Sequence, residues 1–191
     1  MKPIFLRNDT EKQIYIHVYE NDEYQVKPII KDYDIILDLG ANVGTFSRLC
    51  LDNGAKKVVA VEAYPPCYED LVTNCEEFGD SWTGYHAFIT APPLMDNHAG
   101  KKHTDLNFRV SDFLKENNGK KILIKIDIEG WEYITLLDMK ITETMGLFSY
   151  MIGEYHISYT PEVIQIRTTP EMKSFMSTLG RRVEYPVCAP E

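Results

Sequence analysis

The chain has 191 residues, of which 44% are hydrophobic and 26% charged, and its formal net charge is −9 at pH 7. This length fits one domain with an ample core, and the composition excludes a disordered chain. An acidic chain without a Lys/Arg block is poorly suited to binding phosphates, so we expect no nucleic-acid partner.

Neither a membrane segment nor a metal-binding cysteine motif stands out. No apolar run approaches the ~20 residues of a membrane span, and the N-terminus lacks a signal-peptide core. We therefore expect a cytoplasmic protein that does not bind membranes. The four cysteines show no C-x-x-C pairing, so we expect reduced thiols and no structural zinc. They are Cys50, Cys67, Cys75 and Cys188.

The first 30 residues show a weak alternation of apolar and polar positions. Ile14, Ile16 and Val18 precede the turn residues Asn21 and Asp22. A period of two around such a turn predicts a β hairpin. We expect one domain over 1–191, with the hairpin as an extension over 1–30 and the core over 31–191.

After residue 34 the pattern alternates between strands and helices, which is typical of an α/β fold with a mostly parallel sheet. We predict strands at 34–39, 57–62, 83–89, 122–127, 147–155 and 182–187. We predict helices from the first loop to about 53, from Pro65 to 79, over 112–117 with Ser111 as N-cap, over 131–139, and from Thr169-Pro170 to 180. The polar stretch 90–107 is predicted to be a loop over the substrate.

The most informative motif follows the first strand. Residues 35–45 read Ile-Ile-Leu-Asp-Leu-Gly-Ala-Asn-Val-Gly-Thr. Gly40 and Gly44 allow a tight turn and a close approach to a ligand, and Asn42 belongs to the few residue types that tolerate a positive φ. This strand-to-loop pattern indicates a nucleotide-type ligand.

A second signal lies at the end of the second strand. Glu62 follows Gly44 by 18 residues, close to the ~20-residue spacing of the acidic residue that binds ribose hydroxyls in nucleotide-binding βαβ units. The alternative is a glycine-bearing turn without a ligand, but Glu62 matches independently of that turn. Together the two motifs predict a cofactor that contains adenosine.

Three cofactor classes can be compared from the loop sequence. The Gly-Ala-Asn-Val-Gly spacing differs from the G-x-G-x-x-G of dinucleotide folds, and no Lys-Ser/Thr pair follows as in a P-loop. Asp38 would repel a pyrophosphate, whereas it suits the cationic amine of S-adenosylmethionine. The pattern therefore favours S-adenosylmethionine over NAD or ATP. We expect it to contact Asp38, Gly40, Asn42, Gly44, Thr45, Glu62 and Ala63.

Candidate catalytic residues follow two later strands. Asp127 and Glu129 come after the fourth predicted strand, and Glu154 and His156 end the fifth. Ligands of open α/β sheets bind at the carboxyl ends of the strands, so these groups share one crevice if the strands are neighbours. Asp127 or His156 could then act as a general base, with Glu129 and Glu154 orienting the acceptor or the base.

Structural roles compete with this assignment. Asp127 could cap a helix, while Glu129 and Glu132 could be first-turn acids that interact with the helix dipole. A divalent metal held by Asp127, Glu129 and Glu154 could also lower the pKa of an acceptor hydroxyl. We expect catalysis without a metal.

Three blocks of sequence together resemble the FkbM-type class I methyltransferases. They are Ile36–Ser47, Val59–Pro65 and Ile124–Glu132, the last with the distinctive pattern K-I-D-x-E-G-x-E. Asn74 and the pair Glu154/His156 also match positions of that family. Ala63 and Tyr64 depart from it, since they stand where the family usually has Glu-Pro.

The resemblance implies a Rossmann-like, mostly parallel seven-stranded sheet with helices on both faces. It also implies O-methyl transfer from S-adenosyl-L-methionine to a sugar or another small-molecule acceptor. Two alternatives stay open: a methyltransferase fold that binds without catalysing, and methylation of a protein or other acceptor.

Overall fold

The computed structural model describes residues 2–91, 107–154 and 183–184. The strands are β1 Ile35–Leu39, β2 Val58–Glu62, β3 Trp82–His86, β4 Phe88–Ile89, β5 Asn107–Phe108, β6 Ile122–Ile126, β7 Tyr150–Glu154 and β8 Val183–Glu184. The α-helices are α1 Asp9–Ile14, α2 Thr45–Asp52, α3 Pro65–Cys75, α4 Val110–Glu116 and α5 Glu132–Ile141. Tyr15–Glu20 is a π-helix, and Ile30–Asp32 and Glu76–Ser81 are 3-10 helices.

Six of these strands form one sheet in the order β3-β2-β1-β6-β7-β8, and each neighbouring pair is parallel. The chain builds outward from β1 to β3 and then returns to the other side of β1. In open parallel sheets, the crevice at such a switch point is where ligands bind. The carboxyl ends of β1 and β6 therefore mark the expected site. β4 and β5 pair separately, also in parallel.

Apolar residues on alternate positions of the strands create a core on each face of the sheet. On one face Leu37 packs in a cluster with Leu114 of α4 and Leu136 of α5. On the other face Ile36 packs in a cluster with Leu49 of α2. Strands buried on both faces need apolar side chains in both directions, which explains their continuous Ile/Leu/Val runs. The prediction of helices on both faces is confirmed.

The predicted N-terminal hairpin over 1–30 is wrong, because α1 and the π-helix occupy residues 9–20. Asn8 caps α1: its side-chain oxygen accepts from the N–H of Glu11 at 2.9 Å, and its amide donates to the Glu11 carboxylate at 3.0 Å. Ile14 and Val18 are four residues apart, a helical spacing that places both against the core. The apparent period of two was a helical pattern sampled over too few residues.

The predicted strands at 34–39, 57–62, 122–127 and 147–155 agree with the structure within a few residues, and the crossover helices α2, α3 and α5 are also confirmed. The strand predicted at 83–89 is instead two strands, β3 and β4, which belong to different sheets. The predicted cap of the helix at 112–117 is wrong, since α4 begins at Val110 after Arg109. Ser111 instead donates its hydroxyl to Asp138 of α5 at 2.6 Å.

Some predicted elements fall outside the described residues. They include most of the loop at 90–107 and the helix from Thr169-Pro170 to 180. A seventh strand of the sheet stays a prediction. Among the described helices, none combines the length and the apolar character needed to span a bilayer.

Candidate functional site

The loop between β1 and α2 brings its backbone against the end of β6. Gly40, Asn42 and Gly44 all have positive φ, at 75°, 51° and 87°. A Cβ on Gly40 would lie 1.8 Å from the carbonyl oxygen of Asp127, a distance that no side chain tolerates. Gly40 thus permits the loop and the β6 end to approach closely. At Gly44 a Cβ would lie 2.8 Å from Leu71 Cδ1, so this glycine serves the packing of α3.

The carboxylate of Glu62 is fixed by the backbone of two loops. One of its oxygens accepts from the N–H of Asn42 at 2.8 Å, and the other accepts from the N–H of Tyr64 at 2.7 Å. A carboxylate offers about four acceptor positions, so these two bonds leave further capacity for a ligand hydroxyl. The loop sequence therefore sets the orientation of the acid at the end of β2.

A cavity of about 480 Å³ lies beside Glu62, at the carboxyl ends of β1, β2 and β6. Its polar lining includes Glu62, Asp127 and Glu129. The rest is largely apolar or aromatic, and Phe88 and Trp131 meet edge to face there with centroids 5.1 Å apart. An apolar cleft with a few directed polar groups is the usual form of a small-molecule site. We name it the first cavity.

A second cavity of about 370 Å³ shares four residues with the first: Gly40, Asn42, Asp127 and Glu129. Residues 13–24, which were predicted to lie in the hairpin, form one wall of this cavity. The lining residues from this segment are Gln13, Ile14, His17, Val18, Glu23 and Tyr24. Lys125 and Glu154 line the second cavity from the sheet. The two cavities therefore adjoin at the switch point, across the loop after β1.

Asp38 and Lys125 lie opposite each other in the pairing of β1 with β6. The ammonium of Lys125 is 3.5 Å from the Asp38 carboxylate and 3.6 Å from that of Asp127, and it donates to the carbonyl of Gly40 at 2.9 Å. Burial acts to lower the pKa of Lys125, but the charges of Asp38 and Asp127 outweigh it and the pKa is raised. Lys125 is therefore a cation at neutral pH.

Asp38 itself lies beneath the site. Its carboxylate is fully buried and accepts from the hydroxyl of Ser47 at 2.7 Å. It lines neither cavity in the described part of the chain. The predicted direct contact between Asp38 and a ligand amine stays a prediction, while the structure gives Asp38 a role in holding Lys125.

The loop from Asp127 to Trp131 is shaped by a buried acid. Glu132, the first residue of α5, accepts from the N–H of Ile128 at 2.8 Å and from that of Gly130 at 3.0 Å. Glu129 has a φ of 53°, which is uncommon for a residue with a side chain. The interpretation of Glu132 as a first-turn acid is supported, while Glu129 and Asp127 both face the cavities.

Tyr24 brings a hydroxyl from the N-terminal segment to the end of β7. Its oxygen lies 3.4 Å from the Glu154 carboxylate, a long hydrogen bond, and its ring meets Phe46 edge to face. Burial raises the pKa of Tyr24, and the charges of Asp127 and Glu154 add to the effect. Tyr24 is therefore protonated at neutral pH and is able to donate in the second cavity.

The structure brings most of the predicted site residues together. Gly40, Asn42, Glu62, Ala63, Asp127 and Glu129 line the first cavity, and Thr45 and Glu154 line the second. The condition for a shared crevice is met, since β6, which precedes Asp127 and Glu129, pairs with β7, which ends at Glu154. His156 lies outside the described residues.

Sequence reasoning missed Lys125, Tyr24 and Trp131 as site residues. For Lys125 a signal existed, because a lysine inside the otherwise apolar run Ile122–Ile126 is rarely buried without a partner. Tyr24 was assigned to the wrong element, and Trp131 carries no local signal. Among the described residues, no group of three or more His, Cys, Asp and Glu side chains is arranged to hold a metal ion.

Known structures with a similar backbone arrangement include several methyltransferases. One is a candidate RNA methyltransferase from Pyrococcus horikoshii, with 14% identity and a TM-score of 0.46, over 94% of this chain and 77% of that one. Another is a candidate methyltransferase from Escherichia coli, with 14% identity and a TM-score of 0.43, over 65% of this chain and 60% of that one.

A third is the tRNA (uracil-54, C5)-methyltransferase of Pyrococcus abyssi in complex with S-adenosyl-L-homocysteine. It has 14% identity and a TM-score of 0.41. The similar region covers 76% of this chain and 29% of that one, so this chain corresponds to under a third of its length. No protein-family model matches the sequence, and neither does any curated protein sequence.

Proposed function

We propose that the protein is an S-adenosylmethionine-dependent methyltransferase. The observation that carries this proposal is the fixed carboxylate of Glu62 at the edge of a 480 Å³ cavity, held by the N–H groups of Asn42 and Tyr64. An acid in this place, at the end of the second strand of a parallel sheet, is suited to accept hydrogen bonds from the two hydroxyl groups of a ribose.

The residues around Glu62 fit an adenosine-containing cofactor. Ala63, Phe88 and Trp131 give the first cavity an apolar and aromatic lining that suits a purine ring. The absence of a side chain at Gly40 keeps the backbone of the loop close to the β6 end. Thr45 has a buried hydroxyl with no hydrogen-bond partner among the described residues, and it lines the adjoining second cavity. Such a group calls for a ligand or a water molecule.

The second cavity suits the methyl acceptor because it adjoins the first at Asp127 and Glu129. The cofactor supplies an electrophilic methyl group on a sulfonium. The chain has to align an acceptor atom with that group and, for a hydroxyl acceptor, to remove its proton. In this proposal Asp127, which borders both cavities, accepts the proton of the acceptor hydroxyl, and Glu129 and Glu154 orient the acceptor. His156 is a second candidate for the base from its position in the sequence.

For the acceptor, we propose a hydroxyl on a sugar or another small molecule. This assignment rests on the resemblance of the three sequence blocks to the FkbM-type family, which we propose as the subfamily of this chain. The net charge of −9 gives little support to an RNA acceptor, since phosphate binding requires clustered cations.

Calorimetry with S-adenosylmethionine, S-adenosylhomocysteine and NAD tests the cofactor. We expect the first two to bind and NAD not to bind. Binding of NAD without S-adenosylhomocysteine would overturn the proposal in favour of a dinucleotide enzyme. A screen of hydroxyl-bearing acceptors, a protein extract and RNA with a labelled methyl donor then tests the reaction. Label in RNA or protein alone would overturn the small-molecule assignment.

The second candidate is a protein of the same fold that binds the cofactor or a partner without catalysis. Asp127 and Glu129 favour the enzyme, because binding the cofactor alone does not require an acid pair at the border of the second cavity. Cofactor binding combined with no transfer to any acceptor class in the screen would support the second candidate.

A further inference from the structure

Lys125 is a buried cation that no step of the proposed reaction uses. Its side chain is only 6% exposed, because β6 lies in the interior of the sheet. Removing a lysine from water costs several kcal/mol, so a buried lysine persists only with charged and polar partners. An ammonium has three protons to donate, and Lys125 has three partners around it. They are the Gly40 carbonyl at 2.9 Å, Asp38 at 3.5 Å and Asp127 at 3.6 Å.

These partners belong to different parts of the site. Gly40 opens the loop that shapes the first cavity, and Asp127 is the acid shared by both cavities. Asp38 anchors Lys125 from below and is itself held by Ser47. One ammonium group thus contacts both the loop after β1 and the acid that lines the two cavities.

We propose that Lys125 is a positioning residue. Its ammonium group fixes the loop at Gly40 relative to the carboxylate of Asp127, and this one charge thereby determines the shape of both cavities. This inference adds a residue to the proposed function, and it rests on that function where the affinity for S-adenosylhomocysteine is the measurement. Lys125 acts through the loop and the acid. The other charged or titratable groups that face this region are Glu62, Glu129, Glu154, Glu23, His17 and Tyr24.

The first test compares the affinity for S-adenosylhomocysteine with thermal stability across matched variants. Lys125→Met keeps the length of the chain and removes the charge, and Lys125→Arg keeps the charge. Lys121→Met alters an exposed lysine just before β6, and Leu114→Ala lowers stability by truncating a buried side chain of α4 that lines neither cavity. We expect Lys125→Met to lose roughly tenfold or more in affinity. Lys125→Arg should bind more tightly than Lys125→Met, and both controls should bind like the wild type.

A purely structural role predicts a different result. In that case affinity would follow the melting temperature, and Leu114→Ala would lose as much affinity as Lys125→Met. This result, or binding by Lys125→Met within about twofold of the wild type, would overturn the inference while the proposed function stands.

The second test needs neither the cofactor nor a folded Lys125 variant. The ammonium of Lys125 is titrated by nitrogen NMR in the wild type and in Asp127→Asn. We expect a pKa above the usual value in the wild type and a lower one in Asp127→Asn, because the charge of Asp127 contributes to the shift. An unchanged pKa in Asp127→Asn would show that the two groups are not coupled and would overturn the inference, even if S-adenosylhomocysteine does not bind.

Discussion

The N–H of Asn42 donates a hydrogen bond to the carboxylate of Glu62 at 2.8 Å, across 20 positions of sequence. This bond joins the loop after β1 to the end of β2. The φ of 51° at Asn42 belongs to the left-handed region, where most side chains are strained. The orientation of the Glu62 carboxylate therefore depends on the backbone conformation of the loop at Asn42.

The first prediction follows from that φ. Asn42→Gly should keep the fold and the N–H donor, because glycine adopts this conformation without strain. Asn42→Val should cost about 1–3 kcal/mol of stability and weaken the affinity for S-adenosylhomocysteine, because a β-branched residue is strained there. Chemical denaturation and calorimetry of both variants check this. Equal behaviour of the two variants would show that the backbone at Asn42 does not shape the site.

Cysteine reactivity gives a probe of the first cavity. Cys67 lines this cavity, whereas Cys50 and Cys75 are buried in the core. Burial raises the pKa of all three thiols, to about 12 for Cys75. In a Cys188→Ser background we expect slow alkylation of Cys67 at pH 8 and none at the two core thiols. S-adenosylhomocysteine should slow the reaction of Cys67, as measured by peptide mass spectrometry. Labelling of Cys67 that is indifferent to saturating ligand would contradict this placement.

The raised pKa of Tyr24 predicts how stability depends on pH. The phenol stays protonated in the folded state, whereas in the unfolded chain it ionises near its ordinary value of 10.0. Its contribution to stability is therefore complete below pH 10 and is lost as the pH rises above it. The free energy of unfolding should fall less steeply above pH 10 in Tyr24→Phe than in the wild type. Tyr64→Phe, which removes an exposed phenol instead of a buried one, is the control. Parallel curves for wild type and Tyr24→Phe would contradict the prediction.

Much of the site could be predicted from the sequence because its signals are local. A loop with Gly40, Asn42 and Gly44 after a buried strand indicates a backbone with positive φ angles. The alternation of strands and helices indicates a parallel sheet, in which the carboxyl ends of the strands share one edge. Glu62 is found by its spacing from that loop. These features depend on residues that are near in sequence or on general rules of parallel sheets.

What the sequence did not show depends on contacts between distant segments. The N-terminal residues looked like a hairpin, although Asn8 with Glu11 three positions later was a helix-start signal of the capping-box type. Tyr24 reaches Glu154 over 130 positions, and no local pattern predicts such a pair. The burial of Asp38 beneath the loop likewise follows from the pairing of β1 with β6, which places it opposite Lys125.

The strand-end residues should affect turnover more than cofactor affinity. Asp127→Asn preserves the shape of the side chain and removes its charge. We expect Asp127→Asn or His156→Ala to lower kcat by about 10²- to 10⁴-fold, the usual effect of losing a general base. Turnover on the acceptor identified in the screen is the measurement, with S-adenosylhomocysteine affinity measured alongside. Near wild-type turnover in both variants would mean that positioning alone drives the reaction and that neither residue is the base.

The most direct test of the central claim is calorimetry of S-adenosylhomocysteine with Glu62→Ala. We predict a loss of about 1–3 kcal/mol in binding free energy, the scale of losing hydrogen bonds to a charged group. Glu62→Gln, which keeps one acceptor oxygen, should lose less, and Glu116→Ala, an exposed acid on α4, should bind like the wild type. Wild-type affinity in a folded Glu62→Ala variant would contradict the account, because the ribose would then not lie at the end of β2.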